Sequence, residues 1–148
     1  KASDFFSEKD FSEIEAATME AEKNTSGEIR VVIRSHYDED LKNNLHEQVK
    51  RDFVKHGLDK TRDKTGVIIL LVLEVKKFMI WGDDGIHAKV RQAYWDVLAV
   101  GTSAHFQEER YTQGICEAVA EVGKRLAEFF PKKLDDVDEL PDKPIVGD

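Results

Sequence analysis

The chain has 148 residues, of which 22 are basic and 30 are acidic, so its net charge is −8 with histidine neutral. Its composition is 41% hydrophobic and 35% charged, which is typical of one soluble globular domain and excludes collagen-like and low-complexity chains. The acidic balance argues against nucleic-acid binding, because phosphate contacts depend on Lys and Arg. The single cysteine, Cys116, excludes an intrachain disulfide.

From the sequence as written we expect neither a membrane span nor a signal peptide. Its longest apolar run, Val67–Leu73, is far shorter than the roughly 20 residues that cross a bilayer. We therefore expect no direct membrane insertion and, for the sequence as written, a cytoplasmic location. Because the chain begins at Lys1 rather than Met, its native N-terminal context and any targeting signal stay open.

The first part of the chain predicts helix, strand, helix. Asp10 and Glu13 form a capping-box pattern at the start of an amphipathic helix. Its apolar residues recur at helical spacing: Phe11, Ile14, Ala17 and Ala21. Residues 28–35 alternate as a strand does, and a second helix is predicted from Asp40 to Gly57.

The second part predicts two strands and two helices. Residues 66–73 are apolar on both faces, as in a strand that helices cover on both sides. Residues 77–81 predict a hairpin partner for that strand. Helices are predicted from Ile86 to Gly101 and over 112–129, where apolar residues follow a regular core stripe.

These elements predict an α/β fold, namely a three-layer α/β/α sandwich around a small mixed sheet. The first two strands are joined through a helix and should be parallel, while the third should return antiparallel. Residues 1–130 form the predicted single domain. Residues 131–148 contain all three prolines and several acids, and predict a tail that is extended over the surface or disordered.

The same topology predicts a cluster of carboxylates at one end of the sheet. The starts of the first two strands and the finish of the third should meet there, which brings together Glu28, Asp63, Asp83 and Asp84. Such a cluster needs a cation or protons to offset its repulsion. An oxygen-only ligand set suits a hard cation such as Ca²⁺ or Mg²⁺.

Simpler roles are open for each of these residues. Asp84 could cap the next helix, Asp63 could sit in a turn beside Arg62 or Lys64, and Glu28 could be a solvated strand-edge residue. Another acidic run, Asp38–Asp40, is interpreted as a helix cap at the opposite end of the sheet.

The order of motifs along residues 10–142 resembles the TPM domain family, named partly for thylakoid lumen phosphatase-like members. The motifs that carry the resemblance are Ser26–Ile29, Gly66–Val72, Lys76–Phe78, Gly82–Ile86, Tyr94–Asp96, His105–Phe106, Tyr111–Ile115 and Leu140–Asp142. The resemblance implies an α/β/α fold and divalent-cation binding in an acidic loop cluster. It matches Glu28, Asp83 and Asp84, and less closely Asp63.

Two functions are weighed from these observations. The first is a non-enzymatic domain that binds a divalent cation, calcium above others, in a structural or regulatory role. The alternative is a metal-assisted acid phosphatase that acts on phosphate monoesters, with Arg62 or Lys64 holding the phosphate. No nucleophile with a dedicated base is found, so no catalytic residue is assigned. A protein partner is compatible with either function, but no motif identifies one.

Overall fold

The computed structural model describes residues 1–132 and 142–147. Four strands form one sheet in the order β3-β2-β1-β4: β1 (Glu28–Arg34), β2 (Gly66–Val72), β3 (Lys77–Gly82) and β4 (Ile145–Gly147). β1 and β2 are parallel, and β3 is antiparallel to β2. The predicted mixed sheet is thus confirmed.

The fourth strand lies in the segment that the sequence predicted as a tail. Ile145 is paired with Val32 of β1, and the two strands are parallel. Only three residues take part, so the segment is too short to show the alternation by which a strand is recognised. The remainder of the predicted tail, 133–141 and Asp148, lies outside the described residues.

The helices are α1 (Glu8–Glu22), α2 (Leu45–Lys55), α3 (Asp84–His87), α4 (Gln92–Gln107) and α5 (Tyr111–Phe129). The predicted helix over 86–101 is therefore two helices, because the chain turns between α3 and α4. α2 begins at Leu45 with Asn44 as its cap, later than the predicted Asp40.

The capping box of α1 begins three residues before the predicted one. Ser7 caps the helix and Asp10 is its third residue: the Asp10 amide donates to Ser7 Oγ at 3.1 Å, and the Ser7 amide donates to Asp10 Oδ2 at 2.8 Å. Both residues satisfy amides that the helix itself leaves unpaired.

Two hydrophobic cores lie on the two faces of the sheet, which confirms the three-layer sandwich. The larger core contains Ile29, Val31 and Ile33 of β1 with residues of α1, α4 and α5. The smaller core contains Val32 with Val49 and other residues around α2. β2 contributes alternate residues to both cores, which explains its uninterrupted apolar sequence.

Among the described residues, no helix combines the length and apolarity that crossing a bilayer requires.

Candidate functional site

Backbone hydrogen bonds hold three loops together at one end of the sheet. They are Glu28 N to Thr65 O (3.0 Å), Asp83 N to Gly66 O (2.9 Å) and Gly85 N to Lys64 O (2.9 Å). The loops are those that carry the predicted carboxylates, and the parallel register of β1 with β2 brings their starts together. Main-chain hydrogen bonds of the protein itself therefore bring the three loops together.

Gly85 brings two of these loops into direct contact. A Cβ atom at Gly85 would lie 2.5 Å from the Asp63 carbonyl oxygen and 2.6 Å from that of Lys64. Only a residue without a side chain allows so close an approach. The backbones around Asp63 and Asp84 are consequently adjacent in space.

Asp83 is the cap of α3, one residue before the cap that the sequence suggested as an alternative. Its Oδ1 accepts a hydrogen bond from the Asp84 amide at 2.8 Å. Its Oδ2 is buried and accepts no hydrogen bond within the part of the chain that the structure describes. Asp84 itself is exposed in the first turn of α3. A buried carboxylate oxygen without a donor is costly unless a cation satisfies it.

The loop before β2 contains Asp63, which the sequence predicted as a site residue, and Asp59, which it did not. Asp63 is about half exposed, and its Oδ2 lies 3.6 Å from Arg62 Nε. Lys64 donates instead to the Asp59 carbonyl at 2.8 Å. The side chain of Asp59 has a buried Oδ1 that accepts no hydrogen bond from the described residues. No signal in the sequence separated Asp59 from the many exposed acids.

Glu28 lies apart from the three aspartates. Glu28 is 3% exposed at the start of β1, and Gly66 of β2 lies between it and Asp83. Glu28 and Asp83 are therefore separated by two strand spacings, about 10 Å in total. Leu58 packs against Gly66, since a Cβ there would meet the Leu58 carbonyl at 2.8 Å. The charged groups that interact with one another around Glu28 include Glu22, Arg30 and Asp142.

Glu22 belongs to a second acidic group, at the edge of β1 that β4 does not reach. Its Oε2 accepts a hydrogen bond from the Ile29 amide at 2.8 Å, and the residue is 4% exposed. Burial and then a hydrogen bond with Asp142 raise the pKa of Glu22 far above its ordinary value. Burial likewise lowers the pKa of Arg30, which is 7% exposed. Sequence spacing could not reveal this group, because Asp142 is more than 100 residues from Glu22, Glu28 and Arg30.

Although the three loops meet, the side chains that the structure describes there do not form a metal coordination sphere. Within residues 1–132 and 142–147, no three Asp, Glu, His or Cys side chains are arranged to hold a metal ion. Asp63, Asp83 and Asp84 are neighbours through their backbones, and side-chain rotation would be needed for them to share an ion.

Two of the three acids in the run at the opposite end of the sheet, Asp38 and Asp40, are paired with arginines. Asp38 pairs with Arg34 and with Arg51, and its amide donates to Gln48 Oε1 at 2.9 Å. Arg51 also binds both carboxylate oxygens of Asp40, at 2.8 and 2.6 Å. The Arg34 guanidinium lowers the pKa of Asp38 to about 2. This run is therefore part of an ion-pair network and makes no side-chain capping bond.

Comparison with known proteins identifies the family. The family model of the TPM domain matches residues 1–125, so the chain belongs to the TPM domain family. The resemblance drawn from the sequence motifs is confirmed.

Two solved structures share the fold. The NMR structure of the BA42 protein from the psychrophilic bacterium Bizionia argentinensis is 33% identical, with a TM-score of 0.86 over 97% of this chain and 96% of that one. The NMR structure of the N-terminal domain of a P. gingivalis protein is 16% identical, with a TM-score of 0.65 over 85% of this chain and 79% of that one. At that identity the likeness concerns the fold alone. The search of curated proteins produced no match.

Proposed function

We propose that the chain is a non-enzymatic domain that binds a divalent cation, Ca²⁺ in preference to Mg²⁺, at the end of the sheet where the three loops meet. The observation that carries the proposal is the backbone contact at Gly85, which sets Asp63 beside Asp83 and Asp84. The buried Oδ2 of Asp83, for which the described residues supply no donor, is the preformed ligand atom.

The carboxylates at these loops favour a cation over a neutral polar ligand. Asp63, Asp83 and Asp84 on adjacent loops repel one another, and Arg62 Nε lies 3.6 Å from Asp63 Oδ2 within the same loop. A hard cation would offset this repulsion and accept the oxygen ligands that the loops offer.

The expected affinity is low. Asp63 and Asp84 are exposed, so both side chains must be ordered when the ion binds. Rigid calcium sites avoid that entropic cost. We therefore expect a Kd of about 10⁻⁴ to 10⁻³ M, as in weakly binding extracellular modules.

Glu28 remains part of the prediction as the fourth carboxylate. Its burial beside Glu22 and Arg30 implies a different contribution from that of the aspartates. If Glu28 acts through the negative potential of the site, Glu28→Gln should weaken binding less than Asp83→Asn does.

Isothermal titration calorimetry of the metal-stripped protein with Ca²⁺, and then with Mg²⁺, tests the proposal. Binding should be lost when Asp83→Asn is combined with Asp84→Asn. The matched control combines Asp135→Asn with Asp136→Asn, an adjacent pair of acids in the C-terminal segment, and should bind as the wild type does. Equal binding by both double variants would contradict the proposal.

The phosphatase alternative is tested on the same samples. Lys64 donates to a backbone carbonyl and Arg62 lies beside Asp63, so no specific observation favours phosphate hydrolysis at these loops. Steady hydrolysis of a phosphate monoester that Asp83→Asn abolishes would make the domain a metal-assisted enzyme. Hydrolysis that survives this substitution would come from a contaminant.

A further inference from the structure

The outward face of α4 is apolar along most of the helix. Val97 and Val100 are each 74% exposed, more than any other large hydrophobic residue among those described. Ala93, Gly101 and Ala104 are exposed beside them. The one charged residue next to these five positions is Asp96, which is exposed at the margin of the face and accepts a hydrogen bond from Gln92 Nε2 at 2.9 Å.

This face points directly away from the core. The buried residues of α4 are Trp95, Ala99, Thr102 and Phe106. Residues 93, 97, 100 and 104 follow the 4-3-4 spacing of a coiled-coil seam, and they lie on the opposite side of the helix from the buried set. The seam is therefore open to a second helix without any rearrangement of the domain.

The seam reads the same in both directions, as Ala93, Val97, Val100 and Ala104. When two such helices pack antiparallel about a two-fold axis midway along the seam, Val97 of each copy meets Val100 of the other. Ala93 then meets Ala104 in the same way. An isologous two-fold contact requires such a self-complementary surface.

The charges at the two ends of α4 favour the same arrangement. Lys89 and Arg91 precede the helix, are exposed, and form no ion pair with a described residue. Glu108 and Glu109 follow its other end and are exposed; Glu108 is ion-paired with Arg110 of the same chain, so Glu109 is the acid that a second copy would meet unpaired. Antiparallel packing sets the basic end of one copy beside the acidic end of the other, whereas parallel packing would set like charges together.

We propose that α4 is a self-association surface, through which two copies of this chain form an antiparallel two-fold helix pair. α4 has 16 residues and is about 24 Å long, so a contact confined to it falls below the roughly 1,200 Å² of a standard interface. The dimer should accordingly be weak and depend on protein concentration. The proposal uses no residue of the acidic loops, so its outcome is independent of cation binding.

Sedimentation equilibrium across the micromolar to millimolar range tests the association. The wild type should shift from monomer to dimer, and Val97→Asp combined with Val100→Asp should stay monomeric throughout. The matched control combines Met19→Asp with Val54→Asp, which are exposed apolar residues on α1 and α2, and should dimerise as the wild type does. A wild type that is monomeric at every concentration, or a seam variant that dimerises normally, would overturn the proposal.

Charge reversal and cross-linking test the antiparallel orientation. Lys89→Glu with Arg91→Glu should raise the dimer Kd about two- to fivefold per ion pair, and adding Glu108→Lys with Glu109→Lys should restore it. In a Cys116→Ser background, Val97→Cys mixed with Val100→Cys should form mixed disulfide dimers faster than either forms dimers alone. Faster cross-linking within each single variant would show a parallel pair and refute the arrangement.

Discussion

Aspartates lie at both ends of the sheet, but the groups that surround these aspartates differ between the two ends. At one end Asp38 and Asp40 are bound by Arg34 and Arg51, whose guanidinium groups leave few acceptor positions open. At the other end Asp83 has a buried oxygen that accepts no hydrogen bond from the described residues. The difference teaches that the partners of a carboxylate, rather than its position in an acidic run, indicate whether it is available to a cation.

The largest expected effect is a difference in stability between variants that remove an arginine from one end of the sheet or from the other. Asp52 is buried with 1% of its side chain exposed, and Arg34 Nε lies 3.6 Å from its Oδ2. Arg34→Met would leave that carboxylate buried without its cation, which should lower the free energy of unfolding by about 3–5 kcal/mol. Denaturant titration measures the loss. Arg62→Met at the acidic end, where the side chain is 54% exposed, is the control and should change stability by less than about 1 kcal/mol. Equal losses would show that the two ends do not differ as described.

The second prediction concerns the close contact of the acidic loops. Gly85→Ala would place a methyl group against the Asp63 and Lys64 carbonyls and should cost about 1–3 kcal/mol, while also weakening Ca²⁺ binding. Gly101→Ala is the control, because no atom lies within 4 Å of a Cβ there and alanine favours the helix by about 1 kcal/mol. Denaturant titration should therefore show opposite signs for the two variants. Unchanged Ca²⁺ affinity in Gly85→Ala would show that the contact between the two loops does not contribute to Ca²⁺ binding.

The third prediction is the effect of the ion on stability. With a Kd of about 10⁻⁴ to 10⁻³ M, 1 mM Ca²⁺ should stabilise the fold by about 0.4–1.4 kcal/mol relative to excess chelator. Thermal unfolding in the two conditions measures this difference. Melting temperatures that agree in chelator and in Ca²⁺ would count against a specific site.

The smallest expected effect is the acid sensitivity of the arginine-bound end. The Arg34 guanidinium depresses the pKa of Asp38 to about 2 in the folded state, below the ordinary value of 3.8. A depressed carboxyl pKa contributes stability above pH 4, and that stability is lost as the pH falls from about 4 to about 2. Solvent screening limits the effect to less than about 1 kcal/mol. Asp38→Asn should flatten the pH dependence of unfolding in this window, and an unchanged profile would mean that the pair adds nothing.

The sequence could predict the sheet because its strands have clear patterns. The apolar run of β2 and the alternation of β1 each reflect burial along a whole element. The start of α1 was harder to predict, since Ser7 with Asp10 and Asp10 with Glu13 both fit the capping-box pattern. The fourth strand could not be predicted from the sequence, because Ile145 is part of a strand only through its pairing with β1.

The candidate site could be predicted to the level of loops. Topology alone brings Asp63 and Asp83 to one end, because parallel strands begin at the same edge of a sheet. The direction of each side chain depends on packing that sequence spacing does not record: Glu28 acts electrostatically on Glu22 rather than joining the aspartates.

The central claim is that one end of the sheet binds a cation while the other is held by its own arginines. An amide chemical-shift titration of the metal-stripped protein with Ca²⁺ tests it most directly. We predict saturable shifts at residues 61–66 and 82–86, and none at residues 36–52. Shifts confined to the acidic segment 135–142, or absent throughout, would contradict the claim and leave the carboxylates as caps and surface charge.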